Sequence, residues 1–516
     1  MPTFELAFPV NGVSRNLAYA KQGPDTTPYA VNVMPLDTVL ERDRGGTRPG
    51  LAKFFTTYTG SLIDLIAEVS YLTSTFEYAN VIVVANGGTL YKETGAGDVE
   101  AVTSAITLKS GTPLGSAEIY QKLYILGDNA TDPEDSQLCV YDPAANTLTI
   151  PTATAGTIPL GATLICVFNN RLVLAGFVEF PQNWSMSRQG DPLDWDDAVE
   201  DDEQAAVSAG TSDQGVLGEK ITALIPHNEN CMFIGCTTSL WVMQGDIQSG
   251  GRITRIVDNV GVWGARAWCY DTKGYLYFLS FDGLYGMPPG CGSMPTPLSR
   301  DRLPQELMNI DRDENRVSLA YDMVLGGVMI SVTNIEASTS TNYFVRLGEN
   351  GVAFWPTEFA SSDHHVMELY SLRNRIPETS GDSLMLMGCR DGFVRNFNRA
   401  VTNDDGVSIV AALQIGAFPL DDGNKEGLLQ QVEVAFGAGT GSVNCQIRAA
   451  RSAQQAYDAS PSYVSALTQS GLNRTFYPRV RGHSCLLTFT NEGLDSSVFS
   501  FEQIYVTTMP FGKRRP

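Results

Sequence analysis

A cassette of strand, tight turn and strand recurs along most of this chain and limits the possible folds more than any other feature of the sequence. Each copy has two runs of apolar or β-branched residues separated by a short turn. Gly87-Gly88, Asp282-Gly283 and Asp391-Gly392 form the turn in three of the four clearest copies, and Thr238-Ser239 forms it in the fourth. Glycine supplies the positive φ that two-residue hairpin turns require. The four copies span residues 81–93, 232–245, 275–287 and 384–397.

The spacing of the copies indicates a repeat of roughly 40 to 50 residues, the size of a propeller blade built from four short strands. Leu240 and Leu284 occupy equivalent positions and are 44 residues apart. We therefore predict an all-β fold containing a β-propeller of six or seven blades. A pair of stacked β-sandwiches is the alternative, although it gives no reason for a turn glycine to recur at one place. More diverged copies lie at residues 122–150, 171–176 and 328–355.

The texture of the sequence divides the chain into three parts. Residues 1–60 contain many turn formers and read as an extended N-terminal segment, and residues 61–402 carry the repeat and are assigned to the propeller. After residue 403 longer strands alternate apolar with polar residues, which predicts a separate C-terminal antiparallel β-sandwich over residues 403–516. That part ends in a short basic tail, Lys513-Arg514-Arg515-Pro516.

The composition describes an acidic globular protein. The 516 residues carry a formal net charge of −22, and 43% of them are hydrophobic, which is too apolar for a disordered chain. Such acidity argues against a general surface that binds nucleic acid, because phosphate neutralisation needs Lys and Arg. We expect neither a membrane span nor a secretory leader. The nine cysteines are scattered singly, so we expect reduced core thiols in a protein made in a cytosol.

Motifs for catalysis and metal binding are sparse. The sequence has no phosphate-binding GxxxxGK[ST], no GxSxG and no HExxH. Adjacent strand residues point to opposite faces, so His364-His365 makes a poor metal site. The pair Cys231 and Cys236 lacks a second cysteine pair, and the acidic run at residues 194–203 lacks EF-hand spacing and is interpreted as a solvated loop. We predict no catalytic, metal or cofactor site, although two-carboxylate glycosidases leave no local motif.

Three segments resemble bacteriophage tail proteins, and more narrowly the nozzle, or packaged-DNA stabilisation, proteins of short-tailed phages. They are the N-terminal residues 29–54, the segment SRQGDPLDW at residues 187–195, and the region from ITALIPHNEN at residue 221 to DGLYG at residue 286. The C-terminal stretch YPRVRGHSCLLTFTNEG, residues 477–493, adds to the resemblance. No single motif is diagnostic, so the resemblance rests on pattern and order along most of the chain.

The resemblance implies a propeller and sandwich subunit that forms a hexameric ring at the distal end of a short phage tail, in a virion assembled in the host cytoplasm. Such a ring encloses the channel through which double-stranded DNA leaves, docks the tail adaptor and the fibre or spike proteins, and does not insert into a membrane. Acidic side chains facing the lumen would repel the DNA backbone. The alternative from a different class is a propeller carbohydrate-active enzyme or lectin that acts on host surface glycans.

Two sets of residues are candidates for contacts in such an assembly. Arg42, Arg44 and Arg48 lie in a glycine-rich knot and are candidates for contact either with a neighbouring subunit or with DNA phosphate, of which the subunit contact is the favoured interpretation. The tryptophans could bind sugars, but blade packing and interfaces are the favoured interpretation. They are Trp184, Trp195, Trp241, Trp263, Trp268 and Trp355.

Overall fold

In the computed structural model, the repeated cassette forms the middle of each blade of a seven-bladed propeller. The structure describes the chain except for a few short segments: residues 1, 37–42, 57–59, 96, 129–131, 200, 304, 349–350, 374, 376–381, 422–424, 495–497 and 515–516. Within the described residues, seven four-stranded antiparallel units follow one another. The cassettes are the hairpins between second and third strands, and the turn at Gly87 and Gly88 has φ of 54° and 86°. The expected all-β propeller is confirmed.

The strands of the blades are short, and each blade runs in chain order from its first strand to its fourth. Blade 1 is Ile63–Leu72, Tyr78–Asn86, Thr89–Glu93 and Val99–Ala101. Blade 2 is Ser116–Ile119, Lys122–Leu126, Leu138–Asp142 and Thr147–Thr149. Blade 3 is Leu164–Phe168, Arg171–Ala175, Trp184–Met186 and Val207–Ser208. Blades 4 and 5 are Ile221–Asn228, Cys231–Cys236, Ser239–Gln244 and Arg252–Asp258; Trp268–Tyr270, Leu276–Ser280, Gly283–Met287 and Thr296–Pro297. Blade 6 is Asn315–Asp322, Gly327–Asn334, Thr339–Gly348 and Gly351–Thr357.

Blade 7 closes the ring by taking its fourth strand from the N-terminal segment. Its own strands are Val366–Ser371, Asp382–Cys389 and Val394–Asn398, and Gly50–Lys53 pairs with the last of these antiparallel. The first strand of blade 7 also contacts the first strand of blade 1. Pairing the start of the chain with the last blade closes the ring by backbone hydrogen bonds. Neighbouring blades otherwise lie side by side without pairing their edge strands.

The C-terminal domain is a sandwich of two five-stranded sheets. Phe489 of one sheet contacts Phe436 and Phe501 of the other, with ring centroids 6.3 and 5.1 Å apart, so the two inner faces share an aromatic core. One sheet comprises Thr3–Glu5, Phe501–Arg514, Lys425–Phe436, Gly471–Leu472 and Val480–Gly482. The other comprises Ala30–Val31, Ala412–Pro419, Ser484–Thr490, Val443–Ala450 and Tyr463–Leu467.

The N-terminal segment ties the two domains together. Its first two strands, Thr3–Glu5 and Ala30–Val31, are edge strands of the two sandwich sheets, one in each. Between them, the ring of Phe8 stacks on Trp355 of blade 6 at 5.5 Å and lies 6.0 Å from Phe501 of the sandwich. One hydrophobic cluster therefore runs from blades 5, 6 and 7 into the sandwich.

Small elements complete the described part of the chain. Val33–Leu36 pairs with Asp43–Thr47, Ala155–Gly156 pairs with Asp194–Trp195, and Asn403–Asp404 with Val407–Ser408 extends the sheet of blade 7. Helical structure comprises the α-helix Ala453–Asp458 and the 3₁₀ turns Tyr19–Lys21, Pro133–Asp135, Ile247–Ser249 and Ser362–His364. None of the described helices is long and apolar enough to cross a lipid bilayer.

Candidate functional site: the propeller channel

Arg48, one of the three predicted interface residues, is buried inside the subunit. Its side chain has no accessible surface, and its guanidinium donates to both carboxylate oxygens of Asp404 at 2.8 and 2.6 Å. It also donates to the Asn32 side chain and to the backbone carbonyls of Pro49 and Glu358. A group enclosed in this way contacts neither DNA phosphate nor a second subunit, so the structure gives Arg48 a role inside the subunit.

The other two arginines of the knot differ from Arg48. Arg44 is partly buried and forms an ion pair with Glu502 of the sandwich at 2.5 Å. Arg42 lies outside the described residues. The two glycines that follow Arg44 allow close packing: a side chain at Gly45 would collide with the ring of Phe8, and the φ of Gly45 is 73°. The knot therefore packs the N-terminal segment against the sandwich.

The channel at the centre of the propeller is lined by the first strands of the blades, and four charged residues meet at one end of it. Arg316 Nη2 donates to Asp64 Oδ1 at 2.8 Å, and Arg266 Nε lies 2.9 Å from Glu368 Oε1. We call these four residues the channel cluster. They come from blades 1, 6 and 7 and from the loop before blade 5. Two opposite-charge pairs, three of whose four members are almost fully buried, thus connect four consecutive blades on either side of the ring closure, although their residues are far apart in sequence.

Burial changes the acidity of the carboxyl groups in the channel cluster. Loss of hydration raises the pKa of Glu368 to about 7, against the lowering effect of Arg266 and Arg316. Burial also raises the pKa of Asp64, against its hydrogen bonds from Arg316 and from the Gly111 amide. Glu368 Oε1 has no well-aligned hydrogen bond among the described residues, in spite of its short distance to Arg266. The arginines therefore compensate the desolvation of Glu368 only in part.

A cavity adjoins the channel cluster at Arg266 and extends towards the carboxyl ends of the first strands. Along each first strand the cluster residue precedes the cavity residue: Asp64 comes before Glu68, and Glu368 comes before Tyr370. Because the first strands run in the same direction around a propeller axis, this order separates the cluster from the open end. Two lobes of about 380 and 440 Å³ share Arg266, Trp268, Tyr370 and Arg373 in their walls, and we call the joined cavity the cup.

Aromatic side chains form one wall of the cup. Trp268 and Tyr270 are two residues apart on the first strand of blade 5, so both lie on one face of that strand, where they pack against the hydrophobic cluster of blades 4 and 5 and line the larger lobe of the cup. Their ring centroids are 5.8 Å apart, and His227 continues the wall 5.5 Å from Tyr270. The Trp268 indole nitrogen is enclosed, so the wall presents ring carbon rather than the N–H group to the cavity.

The polar groups of the cup carry both signs of charge. Glu68 accepts hydrogen bonds from Asn80 Nδ2 and from the Arg373 backbone amide, both at 2.8 Å. Glu118 accepts from the Ser70 amide at 2.7 Å, and burial raises its pKa. The Arg373 side chain is exposed at the rim. With walls that combine apolar surface with oriented polar groups, the cup has the form of a binding site for a small molecule.

The sequence motifs considered earlier have structural explanations outside the channel. Eight cysteines are buried as free thiols and Cys291 is partly exposed. Among the described residues no group of three or more metal-binding side chains comes together. Trp184 and Trp355 are fully buried and Trp195 nearly so, which makes them packing residues. Trp268 is the tryptophan that reaches the cup.

Comparisons with known proteins return structural matches of low sequence identity, among them the three described below. No protein-family model matches the chain, and neither does any curated protein. Among solved structures, the extracellular domain of the putative hybrid two-component system BT4673 from Bacteroides thetaiotaomicron is similar at 12% identity and a TM-score of 0.44. The match covers 77% of this chain and 45% of that one.

Two further structures show a comparable level of similarity. The corresponding domain of BT3049 from the same bacterium matches at 9% identity and a TM-score of 0.43, over 83% of this chain and 49% of that one. A catalytically inactive virginiamycin B lyase from Staphylococcus aureus matches at 8% identity and a TM-score of 0.38, over 67% and 98%. The chain spans about half the length of the two extracellular domains it matches.

Proposed function

We propose that this chain is a structural virion protein that forms a ring, six copies by the resemblance, at the distal end of a short phage tail. The ring encloses the channel for DNA exit and docks the adaptor and the fibre or spike proteins. The sequence resemblance supports the proposal, as does the combination of propeller and sandwich that the resemblance implies. The proposal assigns no reaction to the protein.

The observation that carries the assembly step is a pair of aromatic residues exposed on one turn. Phe76 and Tyr78, at the hairpin between the first two strands of blade 1, are 83% and 80% exposed. Phe76 also has φ of 62°, a backbone conformation that a bulky side chain adopts only at a cost. A turn that holds an aromatic ring in water under this strain is typical of a contact surface.

The equivalent hairpin of blade 2 extends this surface. Tyr120 is 48% exposed at its tip. The two hairpins are joined by hydrogen bonds from the Leu72 amide to Gln121 Oε1 at 2.9 Å and from the Ser70 amide to Glu118. We call Phe76, Tyr78 and Tyr120 the aromatic tip. Covering an aromatic side chain removes about 150–250 Å² from water, so a neighbouring subunit that covers the tip gains much of an interface core.

The net charge of −22 supports the proposal that the assembled ring encloses the channel through which DNA leaves. Because DNA and the subunit repel each other, a ring of acidic subunits would let the genome pass without sticking. Lysine substitutions of lumen carboxylates, once the ring is imaged, are expected to slow ejection and to strengthen its dependence on salt. Ejection that is unchanged by them would count against a repulsive lumen.

The assembly step is tested by measuring particle mass and imaging particles by electron microscopy. The purified chain is examined alone and with tail components, beside the double variant Phe76→Ser/Tyr78→Ser. Tyr477→Ser is the matched control, since Tyr477 is 54% exposed on the sandwich. We expect rings with a central hole from the wild type and the control, and monomers from the double variant.

One result would overturn the proposal, and a second would overturn its assignment of the contact surface. A wild-type chain that stays monomeric in every mixture is not a ring subunit, and degradation of host polysaccharide by that monomer would point to the carbohydrate-active alternative. Rings formed equally well by the double variant would remove the aromatic tip from the interface.

A further inference from the structure

The cup is closed at one end and open at the other. Its floor includes Arg266, which is held by its proximity to Glu368 and by a hydrogen bond from its guanidinium to the Leu114 carbonyl at 2.9 Å. Beyond the floor, the Arg316 and Asp64 pair is nearly fully buried. A ligand therefore enters from the end where the first and second strands of each blade turn, and it stops at Arg266.

The walls of the cup favour a ligand with a flat apolar face. Trp268, Tyr270 and His227 follow one another on one side, with the Trp268 and Tyr270 ring planes at 76° and the Tyr270 and His227 planes at 35°, so a flat ligand face stacks on one ring at a time. Tyr370 lies in the wall shared by both lobes. The Tyr370 hydroxyl accepts a hydrogen bond from the Glu68 amide at 3.2 Å, which fixes the ring. A ring that is already held in place loses little conformational entropy when a ligand binds beside it.

The polar groups favour a ligand that is neutral and rich in hydroxyl groups. Two guanidinium groups, Arg266 and Arg373, line the cup together with carboxylates of both lobes, so the site offers donors and acceptors in similar number. An anion would be attracted by the arginines but repelled by the carboxylates. A cation would be attracted by the carboxylates but repelled by the arginines. The carboxylates are Glu68, Glu118 and Asp271.

We infer that the cup binds a neutral pyranose sugar. The C–H face of the sugar ring lies against Trp268, and its hydroxyl groups exchange hydrogen bonds with Arg266, Arg373 and Asp271, which line the same lobe. A volume of 440 Å³ in the larger lobe lies within the range of small-molecule sites. The inference concerns a site inside one subunit and is independent of whether subunits form a ring.

The test is titration of the full chain with methyl hexopyranosides, followed by ligand-observed NMR and calorimetry. The panel is methyl glucoside, methyl galactoside, methyl mannoside and methyl N-acetylglucosaminide in both anomers, with inorganic phosphate as the anionic comparator. We expect saturable binding of at least one glycoside, and no comparable binding of phosphate. Trp268→Leu is expected to weaken this binding at least tenfold.

Two further variants separate loss of the site from loss of the fold. Trp241→Leu is the matched control, because Trp241 lies on the third strand of blade 4, packed against Arg255, and is expected to bind as the wild type does. Arg373→Ala changes an exposed rim residue and is expected to weaken binding several-fold while leaving the melting temperature unchanged. Absence of saturable binding across the panel, binding of phosphate alone, or equal binding by wild type, Trp268→Leu and Arg373→Ala would overturn the inference.

Discussion

Arg48 and Asp404 form a two-pronged ion pair with no accessible surface on either side chain. Arg48 lies at the end of the N-terminal segment, just before the strand Gly50–Lys53 that closes blade 7, and Asp404 lies at the exit from that blade. The rings of Phe359 and Phe397 lie 5.4 and 5.9 Å from the guanidinium. The pair thus joins the start of the propeller to its end, where the ring closes.

Loss of the arginine should therefore destabilise the whole chain. Arg48→Met leaves the Asp404 carboxylate buried without its partner, and we expect a loss of about 3–5 kcal/mol in the free energy of unfolding. The measurement is urea denaturation followed by fluorescence. Lys122→Met removes an exposed pair with Asp142 and serves as control, with an expected loss below about 1 kcal/mol. Equal losses from the two variants would contradict the role of Arg48 in ring closure.

Gly45 tests the packing of the N-terminal segment against Phe8. Gly45→Ala combines an unfavourable φ of 73° with a collision against the Phe8 ring. Gly471→Ala is the matched control: φ is 80° there too, but open space surrounds the position. We expect the control to lose about 1 kcal/mol in the free energy of unfolding, from backbone strain alone, and Gly45→Ala to lose at least twice that. Thermal melts that rank the two variants equally would show that Phe8 moves aside without cost.

The blades could be predicted from sequence because their central hairpins are local. A turn glycine such as Gly88 and the apolar runs beside it lie within about a dozen residues, so the cassette is visible in one window. The closing strand Gly50–Lys53 was not predicted, since its partner strand lies more than 340 residues away and four residues carry no periodic signal. The sequence does not predict the two N-terminal edge strands of the sandwich for the same reason: they are short and their partner strands are far away in the sequence.

The channel cluster had a weak signal that the sequence analysis did not use. Asp64, Arg316 and Glu368 each interrupt or border an apolar run that forms the first strand of a blade. A charged residue in such a run is rarely buried without a partner, so each predicts an opposite charge nearby. Which residue supplies that charge depends on how the ring closes, and no local pattern contains this information.

The cysteines provide a test of burial across both domains. Burial raises the pKa of the Cys139 thiol to about 12 and also raises the pKa values of Cys166 and Cys445. Because the thiolate is the reactive form, buried thiols should not react with a disulfide reagent in the native protein. We expect one fast thiol per chain, Cys291, and all nine in denaturant. Cys291→Ser should abolish the fast reaction; two or more fast thiols in the native wild type would contradict the described core.

Glu368 should make stability depend on pH in a direction opposite to that of an ordinary paired carboxylate. Its pKa is raised by burial from 4.5 to about 7, so the folded state binds the proton more tightly than the unfolded state. Stability from this group is therefore present below about pH 4.5 and lost as pH rises to 7, by roughly 3 kcal/mol. The free energy of unfolding of Glu368→Gln, measured by urea denaturation and compared with that of the wild type, should therefore rise by about that amount from pH 4.5 to pH 7.5. Glu100→Gln, at an exposed ion pair with Lys92, should give a flat difference. A flat difference for Glu368→Gln as well would mean that Arg266 and Arg316 keep the carboxylate ionised throughout.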